Sequence, residues 1–116
     1  MKTFLAVYTG TPGGRESWNA LPEQERKQRE VRGMRAWSDW VARNKDVIVD
    51  TGAPLGRTKS VSQRGLADIR NQLGAYTIVR AESHDAAAKL FENHPHFTIF
   101  PGEAVEIMEC LPVPGM

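Results

Sequence analysis

The chain has 116 residues, the length of one domain with room for one modest core. Apolar residues make up 41% and charged residues 25%, ordinary globular usage that excludes wholesale disorder. The formal net charge is +1, from 15 basic and 14 acidic residues, which gives no electrostatic case for a nucleic-acid partner.

Cys110 is the single cysteine, so an internal disulfide and a multi-cysteine zinc site are both excluded. The opening MKTFLAVYTG holds too short an apolar run for a signal peptide. No run approaches the roughly 18–20 apolar residues of a membrane span. The expectation is a cytoplasmic protein without a membrane partner, folded as one domain over residues 1–116.

Thr3–Tyr8 (TFLAVY) reads as a strand with Phe4, Ala6 and Tyr8 on one face and Leu5 and Val7 on the other. Both faces are apolar, as in a strand covered on both sides. Gly10–Gly14 (GTPGG) reads as a loop. Its spacing matches neither the dinucleotide fingerprint nor a phosphate loop, and no cofactor is expected. Pro22 suits the first turn of a helix running to about Asn44. The first half of that helix is charged, with Glu23–Lys27 and Glu25–Arg29 spaced i,i+4. Its second half carries a Met34, Trp37, Val41 stripe flanked by Val31, Gly33 and Trp40. The two tryptophans either line a ligand cleft or pack on the sheet.

Asp46–Asp50 reads as a short strand, and Arg57–Ser62 as an exposed edge strand. Leu66–Leu73 carries no decisive pattern. Ala75–Val79 is β-branched and aromatic, again apolar on both faces. Ser83 then caps a helix that buries Ala87, Leu90 and Phe91 and is ended by Asn93 and Pro95. Phe97–Phe100 reads as extended, Ala104–Leu111 as the last strand, and residues 112–116 as a Pro-rich surface tail.

This order predicts an α+β two-layer sandwich with two helices on one face of a mainly antiparallel sheet. Three strands apolar on both faces would leave a large bare patch in a monomer. A homodimer packed through the sheet removes it.

The run Gly74–Ser83, with Ala86-Ala87, His94-Pro95 and Val105-Glu106-Ile107, resembles the YCII-related family and its DGPF-type branch over roughly residues 47–109. The resemblance implies a ferredoxin-like dimeric α/β barrel. It also implies a His–Asp pair, with the Asp just before the proline that ends the second helix. Here that position is His94, and the Met34–Val41 segment has no His to complete the pair.

His94 and His96 are the expected acid/base groups. They would share one face of an extended segment, and a helix C-terminus would favour protonated His94. The alternative for His94 is a helix-end residue bonding the last carbonyls, with His96 exposed. Trp37, Trp40, Tyr76 and Arg57 are the expected small-molecule contacts. His84 is expected to be solvated. Cys110 is expected to be a buried small hydrophobe. No spacing motif selects a third ligand beside the two histidines, so no metal is expected.

Overall fold

The computed structural model describes residues 1–115. Strand β1 (Lys2–Thr9) leads through helices α1 (Pro12–Ala20) and α2 (Glu23–Arg43) to β2 (Ile48–Asp50). A hairpin, β3 (Thr58–Ser62) and β4 (Gly65–Ile69), precedes β5 (Leu73–Ala81). Helices α3 (His84–Lys89) and α4 (Pro95–Thr98) then lead to β6 (Ala104–Glu109). The main sheet is antiparallel with order β2-β5-β1-β6, and β3-β4 form a separate two-stranded ribbon. Leaving out α1, α4 and the ribbon, the path is βαββαβ with the two central strands flanked as in ferredoxin-like folds. This α+β architecture matches the expectation from the sequence.

Strand alternation decides which side chains reach the helices. Phe4, Ala6 and Tyr8 stand beside Val79, Thr77 and Ala75 of β5 and beside Ile107 and Val105 of β6. With Trp40, Ala87 and Phe91 from the helices, these residues make the core. Leu5, Val7, Tyr76, Ile78 and Met108 line the opposite face, which no helix covers.

Several expectations are corrected. Gly10–Gly14 is not a loop throughout: Thr11 accepts the Gly14 N–H at 3.0 Å and caps α1, with Pro12 at the first helical position. The buried stripe of α2 is centred on Gly33 and Trp40 rather than Met34. Glycine at 33 lets the Phe100 ring lie against the helix, where a Cβ would come within 2.5 Å of it. Met34 is 60% exposed, and Val31 is exposed too. Leu66–Leu73 supplies β4 and the start of β5. Phe97–Phe100 is not extended: Pro95–Thr98 is a short helix. Cys110 is exposed, because alternation from Met108 puts it on the uncovered side of the sheet. The tail is exposed over residues 112–115, and Met116 lies outside the described residues.

Candidate functional site

The chain reverses sharply between α3 and α4. Ser83 caps α3 by accepting the Ala86 N–H at 3.1 Å. Asn93 ends the following turns with φ 58°, the left-handed conformation that asparagine tolerates better than most residues. His94 comes next as the cap of α4: its ring Nδ1 accepts the His96 backbone N–H at 3.0 Å, and Pro95 opens the helix. The proline read as a stop signal is a start signal. His94 therefore sits at a helix beginning, not an end, and the two histidines do not share an extended strand face.

His94 is fully buried. Its ring stands edge-on to Trp37 at 4.5 Å and to Trp40 at 4.7 Å, with Tyr8 and Phe91 at 5.2 and 5.9 Å. Because Nδ1 accepts, the neutral ring carries its proton on Nε2, and among the described residues that is the one buried side-chain polar atom with no partner. Burial, and then the charge His96 would carry, pushes the His94 pKa down to about 4. The expected protonated His94 is corrected accordingly: apolar walls desolvate the imidazole, and a helix beginning offers no dipole that favours its charged form.

His96 is half-buried and oriented from outside its own helix. Its Nε2 lies 2.7 Å from the Thr9 carbonyl oxygen, which also accepts the Glu103 N–H. A carbonyl can only accept, so Nε2 carries the proton and Nδ1 keeps a lone pair. Among the described residues that Nδ1 has no hydrogen-bond partner, and it is not sealed from solvent. Burial lowers the His96 pKa, and the Thr9 bond partly offsets this. Gly102 permits the arrangement, since a Cβ there would run into the imidazole and the His96 carbonyl.

Tyr8 lies 5.2 Å from both imidazoles. The Thr77 hydroxyl donates to the Thr51 carbonyl, so the Tyr8 hydroxyl donates to Thr77 at 2.8 Å. Burial pushes the Tyr8 pKa up to about 12 and keeps the phenol neutral. Trp40 donates Nε1–H to the Leu90 carbonyl at 2.7 Å and is buried, which makes it a packing element. Trp37 is half-buried between Tyr8, Phe100 and the imidazoles.

The remaining expected contacts fall elsewhere. Tyr76 pairs with Val7 on the uncovered sheet face, opposite to the tryptophans, and its hydroxyl lies 3.4 Å from Asp50. Arg57 is exposed just before β3. His84 is not merely solvated: it lies 2.7 Å from the Ile107 carbonyl and stacks on Phe4. Among the described residues no carboxylate hydrogen-bonds either His94 or His96. Tyr8 and Phe91, placed by the strand and helix patterns, complete the cluster with Thr9, Phe100 and Gly102, which carry no signature in the sequence. Thr9 acts through its backbone carbonyl, Gly102 donates its N–H to the His96 carbonyl at 2.9 Å, and Tyr8, Phe91 and Phe100 pack against His94 or Trp37.

Beside the histidine turn an open groove of about 330 Å³ runs between α3, α4 and β6, with Phe91, Phe97, Val105 and Ile107 in its walls and Glu92 and Glu103 exposed along it. A larger hollow of about 570 Å³ follows α2 from Glu23 to Val31 and shares no residue with the histidine cluster. No helix among the described residues is long and apolar enough to cross a membrane.

No protein-family profile matches the chain. No curated protein matches it either. Among solved structures it is similar to 5-chloro-2-hydroxyhydroquinone dehydrochlorinase from Burkholderia phenoliruptrix, determined in complex with 2,5-dihydroxybenzoquinone. The TM-score is 0.54 over 91% of this chain and 90% of that one, at 20% identity. The likeness extends the fold assignment across nearly the whole length. It is a likeness of fold.

Proposed function

We propose that this chain is a YCII-related homodimeric protein that binds a small molecule against Trp37 and His96, with His96 as its proton-transfer group. The observation that carries this reading is the inequality of the two His96 nitrogens. Nε2 is held on the Thr9 carbonyl, so the ring is fixed in one tautomer, and Nδ1 keeps a lone pair outside the sealed core. A neutral imidazole with one nitrogen anchored and the other open is a general base ready to take a proton from bound substrate. His94 has the complementary role: its cap bond and aromatic box position the turn that carries His96. The fold shared with an enzyme crystallised with a dihydroxybenzoquinone suggests oxygenated six-membered rings as first ligands to try.

Tryptophan fluorescence titrated with 2,5-dihydroxybenzoquinone and with hydroxylated benzenes tests the proposal. Saturable quenching is expected in the wild type, weakened at least tenfold in Trp37→Leu. In His96→Gln, binding is expected to persist while any proton exchange with the ligand is lost. Nitrogen NMR should place the His96 proton on Nε2. A protonated Nδ1 at neutral pH, or no saturable quenching by any compound, would overturn the reading. The alternative of a non-catalytic dimeric module draws on the exposed β3–β4 ribbon.

A further inference from the structure

The β3–β4 ribbon is out of keeping with the rest of the molecule. Every residue of β4 is exposed, and the cross-strand pair Val61–Leu66 is 78% and 76% exposed. A lone two-stranded ribbon is at best marginally stable in water, and paired aliphatic side chains facing solvent make it less so. The ribbon also stretches the molecule. Its Cα radius of gyration is 16.2 Å and its extents are 54 × 43 × 18 Å, against about 13–14 Å expected for a compact domain of this length.

The two faces of the ribbon differ. Val61 and Leu66 share one face with the Lys59–Asp68 pair, and continuing the alternation adds Arg57 and Arg70. The other face carries Thr58, Ser60, Ser62 and Ala67, with Ile69 as its one large apolar residue. One face is thus basic around an aliphatic centre. The α3–α4–β6 groove is its converse, with Phe91, Phe97, Val105 and Ile107 forming apolar walls beside Glu92 and Glu103. Among the described residues neither Arg57, Arg70, Glu92 nor Glu103 has an ion-pair partner. The ribbon leaves the sheet from the β2–β5 edge, whereas the groove lies at the β6 edge.

We propose that the ribbon is an exchanged arm: in the homodimer it lays Val61 and Leu66 into the α3–α4–β6 groove of a second copy, with Arg57 and Arg70 against Glu92 and Glu103. The proposal rests on the dimer reading above and adds where the two copies lock. Reciprocal insertion is a two-fold arrangement that closes on itself. It would also place the second copy beside the turn bearing His94 and His96, because the groove shares Phe91 with the box around His94. The candidate site would then be walled by both copies.

Sedimentation equilibrium of charge variants and disulfide trapping test the arm. R57E/R70E is expected to weaken dimerisation at least tenfold, and adding E92R/E103R is expected to restore it. All four positions are exposed, so folding, followed by circular dichroism, should be unaffected. In a Cys110→Ser background, chains carrying Leu66→Cys and Phe97→Cys should form a mixed disulfide on oxidation. A wild-type dimer indifferent to the arm charges would overturn the arm while leaving a sheet-packed dimer standing. A monomeric wild type would remove both. Selective disulfides between two Leu66→Cys chains, or between Leu66→Cys and Ile78→Cys chains, would assign the arm to another arm or to the bare sheet, and overturn the groove.

Discussion

His94 is the residue whose burial has the largest consequence. It titrates near 4 in the folded chain, against an ordinary value of 6.5. Between those two pH values the unfolded chain binds a proton that the folded chain refuses, so stability rises with pH across that window. The contribution is complete above about pH 6.5 and is lost as the pH falls toward 4. A shift of this size corresponds to on the order of 3 kcal/mol. His96, whose pKa is also lowered by burial, acts in the same direction. Thermal melts should therefore show the melting temperature falling by roughly 10 °C between pH 7 and pH 4.5. His94→Asn keeps an oxygen able to cap α4 but removes the titrating ring, and it should flatten that dependence. An equally steep acid loss in the variant would place the sensitivity on other groups. The orphaned Nε2 also costs about 1–3 kcal/mol at every pH.

At the scale of elements, the α3–α4 junction shows why sequence signals mislead locally. Proline follows many helix ends, but it is equally at home at the first position of a helix, and only the His94 cap bond separates the two cases here. Asn93 is the hinge between the two helices. Its left-handed backbone disfavours side chains branched at Cβ, and the side chain itself is exposed. Asn93→Val should therefore cost about 1–2 kcal/mol in urea unfolding, whereas Asn93→Gly should match the wild type or exceed it. A harmless valine would show that the turn takes another conformation. The period-2 strands β1 and β5 and the Ser83-capped helix were legible because each carries its own pattern. The ribbon was only half legible: Thr58–Ser62 alternates, but Gly65–Ile69 (GLADI) is too short and mixed to declare itself without its partner strand. The same limit hides the His96–Thr9 bond, which joins residues 87 positions apart through a backbone atom that any residue would supply.

For the whole molecule, the alternation of Phe4, Ala6 and Tyr8 with Leu5 and Val7 carried more information than any motif, because a strand with two apolar faces needs two covers. The helices provide one. The other face leaves Leu5, Tyr76 and Ile78 half-buried and Met108 exposed, on a body only 18 Å thick. A second sheet packed there would bury these residues at about 1.5–3 kcal/mol for each aliphatic side chain fully covered. Losing one such contact and burying a charge in its place shifts a dimer constant by well over tenfold. Ile78→Glu puts a carboxylate at the centre of that face without touching the helix-covered core. The wild type is expected to sediment as a dimer at micromolar concentrations, and the variant as a folded monomer. R57E/R70E should weaken the dimer independently if arms and sheets are separate contacts, so the two effects should add when combined. A dimer unaffected by Ile78→Glu would leave the bare face without a partner and place the whole association on the arms.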